Sequence, residues 1–158
     1  MTILTSPEVK ARETATILAA PQGLAVKLVP GSGEVDRAAT GYVSHDRHEA
    51  LADALFAYPD ISAEGWETAR AAQGRVLAAL SPFLAPDAGA TIIVGHGGVG
   101  TLLWCHMTGL GISRAEDQPG IGSVWCADWD KGRLLPLHPW RPMESLVRGI
   151  WLDAGPYA

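Results

Sequence analysis

The tightest constraint on this chain is the passage Thr91-Ile92-Ile93-Val94-Gly95-His96-Gly97-Gly98. A short, β-branched and mostly apolar run such as Thr91 to Val94 has the pattern of a strand covered on both faces, in the middle of a parallel sheet. The glycines break that strand, and Val99 to Thr108 reads as a helix. Strand, turn and helix in immediate succession point to α/β layering and put His96 where a strand ends and a helix begins, the usual place for ligands in open α/β sheets. Gly97 and Gly98 carry no side chains, so amides at the helix start can approach an oxyanion while the helix dipole favours negative charge. A phosphate or carboxylate fits there; the plainer alternative is a tight turn whose histidine bonds a carbonyl.

The rest of the chain supplies the other layers. Thr2 to Thr5 reads as a short strand running straight into Ser6-Pro7, where Ser6 suits a cap and Pro7 a first helical turn. Ala11, Thr14, Ala15 and Leu18 then recur at helical spacing, predicting a helix from about Pro7 to Ala19. Ala25 to Val29 reads as a second strand ending at Pro30-Gly31-Ser32-Gly33. Residues 34 to 63 are polar and mixed, with one helix from about Asp46 to Tyr58, and the stretch at about 35–62 has the character of a lid-like insertion. Ser62 to Leu84 contains a long helix stopped by Pro82 and Pro86. Ser123 to Trp129 and Gly132 to His138 pair as a hairpin around Asp130-Lys131-Gly132. There is no internal repeat, and the segment after Pro139 has no clear pattern.

Bulk properties narrow the class of function. The 158 residues predict a single domain, 1–158, and 47% hydrophobic content is ample for a buried core. A net charge of -5 offers no basic stripe for nucleic acid. Cys105 and Cys126 fit neither a disulfide framework nor a Cys-x-x-Cys site, and read as reduced and structural. No apolar run approaches the roughly 20 residues of a membrane span, and the N-terminus has no secretory pattern, so the cytoplasm is the expected compartment.

Four further positions bear on chemistry. Glu34 follows the glycine-rich turn, where a carboxyl group near an anion and under a lid can be held protonated and supply a proton to a leaving oxygen; the alternative is an exposed loop acid. Lys10 lies in the first turns of the first helix, with its ammonium in reach of the same sheet edge, although an exposed lysine is the commoner case. Arg37 either pairs with Asp36 or contacts an anion, and the sequence leaves that choice open. Arg47-His48-Glu49 falls in the lid helix with no glycine and no preceding strand, and is expected at the surface.

These pieces resemble the histidine phosphatase, or phosphoglycerate-mutase-like, superfamily along most of the chain. Thr5-Ser6-Pro7-Glu8-Val9-Lys10-Ala11-Arg12-Glu13-Thr14-Ala15 is similar to the family's Ser-x-x-x-Arg-Ala-x-x-Thr-Ala motif, with Lys10 in place of the phosphate-binding arginine. Lysine keeps the charge and loses the bidentate fork. Gly33 to Arg37 and onward to Gly41, with Gly65-Trp66-Glu67, resembles one phosphatase subgroup, and Glu34 matches its proton donor. Val94-Gly95-His96-Gly97-Gly98-Val99 resembles the second histidine motif, whose imidazole contacts the transferring phosphoryl group and whose following glycine amide helps hold it.

The resemblance implies a three-layer α/β/α sandwich with a mixed, mostly parallel sheet, and hydrolysis of a small phosphomonoester through a phosphohistidine, with neither metal nor organic cofactor. It assigns His96 and Glu34 to catalysis and Lys10, Gly97 and Arg37 to phosphate. The family's phosphoryl-accepting histidine sits in an Arg-His-Gly tripeptide at the end of a first strand, and His45, His48, His106 and His138 all lack that setting. The implied form is therefore truncated and inactive as it stands. The missing strand would lie between residues 91–94 and the hairpin, leaving a seam that invites instability or a homo-oligomer. The alternative is a non-catalytic phosphate-binding or regulatory module derived from a phosphatase. A serine esterase is disfavoured, since no Gly-x-Ser-x-Gly elbow is present.

Overall fold

The computed structural model describes residues 1–85, 89–130 and 133–148. At its centre lies β1 (Thr2–Thr5), which pairs in parallel with β2 (Val26–Leu28) on one side and β3 (Thr91–Val94) on the other. Ile3 stands opposite Val26 and Ile92, and Leu4 opposite Lys27 and Ile93. Because side chains alternate along a strand, Ile3 and Leu4, both fully buried, point to opposite faces. Ile3 packs with Ala15 and Ala19 of α1 (Val9–Ala19), whose small side chains bring the helix close to the sheet. Leu4 packs into a larger cluster with Ala69, Ala72, Val76 and Leu80 of α3 (Ala69–Leu80) and Val99, Leu102 and Leu103 of α4 (Gly97–Thr108). Helices on both faces of a parallel sheet make the expected three-layer α/β/α sandwich.

Between β2 and α3 the chain forms α2 (His45–Ala57), whose Leu55 and Phe56 enter the main core. Its Leu51 packs with Ala63 and Trp66 in a separate small cluster. The third helix is shorter than its periodicity predicts. Gly65 takes a positive φ of 88° and Thr68 caps α3, its side chain accepting from the Ala71 amide, so Trp66 sits in a loop ahead of the helix. The first helix likewise begins at Val9, because Ser6 Oγ accepts the Glu8 amide and the Ser6-Pro7 pair stays outside.

The strands form two separate sheets. The three parallel strands end at β3, while β4 (Ser123–Asp130) and β5 (Arg133–Pro142) form a separate antiparallel pair. Correspondingly, β3 is an edge strand and only half-buried along its length, although Ile93 packs on the α3 and α4 face and Ile92 and Val94 on the α1 face. The hairpin docks instead on α4: the Trp125 ring lies 5.7 Å from that of Trp104 and 6.3 Å from that of Trp140. Past β5 the chain turns through a 3-10 segment, Met143–Arg148, which no sequence pattern had placed. The turn at residues 131–132 lies outside the described residues. Cys105 and Cys126 are both free thiols. Among the described residues no helix is long and apolar enough to cross a membrane.

Candidate active site

The ends of β1, β2 and β3 open onto one edge of the sheet, and the segments leaving them bring the chemistry together. β3 ends at Val94, and His96 is the residue before α4, in extended backbone conformation, so its ring projects beside the helix start. His96 Nε2 lies 2.6 Å from Ser6 Oγ, at the end of β1, and 3.2 Å from Glu8 Oε1. The His96 side chain is 2% exposed. Burial pushes its pKa below the ordinary histidine value, with the Lys10 and Arg37 charges acting in the same direction and Glu8 and Glu34 opposing them. Glu8 is partly buried, which favours its neutral form, but the Glu34 amide, the His96 ring and Lys10 outweigh burial and hold its carboxyl below the usual range.

Glu34 arrives from the loop after β2. Its Oε1 accepts from the Val99 amide at 3.0 Å and from the Val35 amide at 2.9 Å, and its Oε2 from the Gly98 amide at 3.1 Å. The carboxyl group therefore occupies the start of α4, where the unpaired amides and the positive helix end favour an anion. A side chain at Gly98 would not permit this, since its Cβ would lie 2.7 Å from Glu34 Oε1. The Glu34 amide in turn donates to Glu8 Oε1 at 2.8 Å, so one glutamate links Glu34 to His96.

The loop carrying Glu34 is fixed by Arg75 from α3. Its guanidinium donates to the carbonyls of Gly31, Gly33 and Glu34 at 2.6, 3.0 and 3.1 Å and pairs with Glu67 at 2.6 Å. Arg75 holds the Glu67 carboxyl below its ordinary pKa, more than offsetting the opposing effect of burial. Arg37 Nη2 lies 4.0 Å from Glu34 Oε2, its guanidinium rests over the Trp66 ring, and its Nη1 contacts His48 Nε2.

Of the residues singled out in the sequence, His96, Glu34, Gly97 and Arg37 converge on this edge, and Lys10 stands at its rim. The Lys10 side chain is 67% exposed and pairs with Glu8 at 3.5 Å. A Cβ on Gly97 would lie 2.1 Å from Gln118 Nε2, so Gln118 covers that side of the helix start. Arg47 is exposed and pairs with Glu64, as its surface reading anticipates, but His48 reaches inward to Arg37. Ser6, Glu8, Arg75, Gln118 and His48 carried no site signal in the sequence. The helical motif around Ser6 and Glu8 accounts for both residues as helix-start features, and Arg75 reads as one more polar residue on a helix. Although Ser6 and His96 form a close pair, Ser6 is 1% exposed, which argues against an accessible serine nucleophile.

A strand-end histidine beside a helix start filled by a carboxyl group defines an α/β protein built around an oxyanion cradle. The chain belongs to the histidine phosphatase superfamily (branch 1), which it matches over residues 1–135. Its fold is similar to that of mycobacterial glucosyl-3-phosphoglycerate phosphatase in complex with VO3, with 17% identity and a TM-score of 0.71 over 90% of this chain and 76% of that one. That enzyme has also been solved with inorganic phosphate. YhfR of Bacillus stearothermophilus is similar at 22% identity and a TM-score of 0.69, covering 85% of this chain and 71% of that one. A protein described as mycobacterial hydrolase 1 gives 18% identity and a TM-score of 0.69 over 86% and 73%. At these identities the likeness establishes the phosphoglycerate-mutase-like fold. No curated protein matches the sequence.

Proposed function

We propose that this domain, in its complete form, is a phosphatase that hydrolyses a small phosphomonoester through a phosphohistidine. The observation carrying this reading is the Glu34 carboxyl group bonded to the Gly98 and Val99 amides, one glutamate away from the buried His96 ring. A carboxylate and a phosphoryl oxygen make the same demands on a helix start. On this reading an incoming phosphoryl group displaces Glu34 from the amides. Once off the amides, Glu34 takes a proton from water and passes it to the leaving oxygen, while His96 and the Gly97 amide stabilise the transferring group and Lys10 and Arg37 supply positive charge. The phosphoryl group passes to an acceptor imidazole on an Arg-His-Gly strand, the leaving group departs with the Glu34 proton, and water then releases phosphate from the imidazole. The open side of β3 and the separate hairpin support a place for that strand between them. Residues 35–62 act as the lid. A form without that strand is expected to self-associate along β3.

The test is turnover of p-nitrophenyl phosphate by a chain carrying an upstream Arg-His-Gly strand. Activity is expected, with a fall of roughly 10²-fold or more in His96→Ala. Full turnover in His96→Ala would remove His96 from the mechanism. Phosphate binding with no turnover in the extended chain would instead establish an anion-binding module.

A further inference from the structure

The loop between α4 and β4 holds a side chain that the reaction as described leaves unused. It passes through the 3-10 turn Arg114–Glu116 and reaches Gln118, whose carboxamide lies over the start of α4. A Cβ built on Gly97 would clash with Gln118 Nε2 and lie 3.3 Å from its Oε1, so the NH2 end of the side chain is the part turned toward Gly97. The close approach is possible because that position has no side chain.

The neighbours of Gln118 are spent on holding the loop. Asp117 Oδ1 accepts from the Thr101 hydroxyl at 2.9 Å and from the Gln118 backbone amide at 2.8 Å, and Thr101 is fully buried inside α4. Asp117 Oδ2 pairs with Arg114 Nε at 3.3 Å, Arg114 continues to Glu49 of α2 at 2.6 Å, and Glu116 accepts from the Trp104 indole N–H at 3.0 Å. Pro119 further biases the Gln118 backbone toward an extended conformation. The Gln118 carboxamide itself has no hydrogen-bond partner among the described residues. The Gly97 amide is in the same condition: Glu34 takes the Gly98 and Val99 amides, and that of Gly97 has no acceptor among the described residues. Two kinds of unspent N–H donor thus meet at one glycine, at the positive end of α4.

We propose that Gln118 is a further phosphoryl-contacting residue, its side-chain NH2 donating to a non-bridging oxygen beside the one held by the Gly97 amide. A carboxamide is neutral, so it adds a directed bond to the anion without changing the charge around His96. Its part in turnover rests on the phosphatase reading; its contact with phosphate does not.

The experiment is a titration of the chain with inorganic phosphate at constant ionic strength, followed by nitrogen-15 NMR. The Gln118 side-chain NH2 signals, identified by their loss in Gln118→Glu, are expected to shift saturably with the same midpoint as the Gly97 backbone amide. Gln118→Ala should weaken phosphate binding by about tenfold, and Gln118→Glu, equal in shape and opposed in charge, by more. Gln118 is only partly buried and its carboxamide bonds to nothing among the described residues, so neither variant removes a contact that holds the fold. Gln118 signals that stay in place while Gly97 shifts, phosphate affinity unchanged in Gln118→Ala, or no phosphate binding at all would overturn the proposal. In the chain carrying the upstream strand, Gln118→Ala should lower kcat/KM for p-nitrophenyl phosphate by about tenfold. Phosphate contact through Gln118 without turnover would count against the phosphatase reading alone, and turnover indifferent to Gln118→Ala against Gln118 alone.

Discussion

The His96 ring shows how one buried side chain ties stability to pH. Burial beside Lys10 and Arg37 lowers its folded pKa below 6.5 despite the opposing charges of Glu8 and Glu34, so the unfolded chain takes up a proton more readily than the folded one. The associated stability is present above 6.5 and is lost as pH falls through the depressed folded value. Urea midpoints should therefore fall between about pH 7 and pH 5, and His96→Gln should flatten that slope. An equal slope in the variant would show that the ring titrates as it does in the unfolded chain. Glu8 and Glu67 do not confuse this window, because their lowered pKa values carry losses that begin below 4.5. At this scale the sequence revealed the residues whose type and setting are diagnostic, such as a histidine between a strand and glycines. It hid Ser6 and Glu8, whose meeting with His96 joins positions about ninety residues apart and leaves no local pattern.

Elements were legible where periodicity decides them and less so where a single dihedral does. The apolar spacing of α3 continues back through Trp66, yet Gly65 and the Thr68 cap end the helix before it. Two glycines in this region are expected to respond in opposite directions to the same substitution. Gly74 lies on the exposed face of α3 with open space around its missing Cβ, so Gly74→Ala should stabilise the protein by about 0.4–1 kcal/mol. Gly65 has a φ of +88°, and an added Cβ would lie 2.7 Å from that of Ala39, so Gly65→Ala should cost about 1–3 kcal/mol. Chemical denaturation of the two variants checks both signs. A neutral Gly65→Ala would mean that the loop holding Trp66 against Arg37 can be rebuilt without strain.

At the scale of the whole molecule, the layers follow from the two-residue period of Ile3 and Leu4 and the helical stripes on either side. The division into two sheets does not, because nothing in the alternation of β4 and β5 says which edge they meet. Their docking is written instead in a gap: Gly100 of α4 leaves room for Trp140, and a Cβ there would lie 2.9 Å from the indole Cη2. The Trp140 indole N–H is buried with no hydrogen-bond partner among the described residues, so apolar packing must hold the ring in place. Trp125, in contrast, reaches the main core as well as Trp104. Gly100→Val should therefore displace Trp140 and loosen the hairpin while leaving β1, whose core partners exclude Trp140, intact. Amide hydrogen exchange is expected to quicken in β4 and β5 and to hold steady in β1. Uniform loss of protection would instead make the hairpin and the parallel sheet one cooperative unit, with the space between them closed by packing stronger than a single indole supplies.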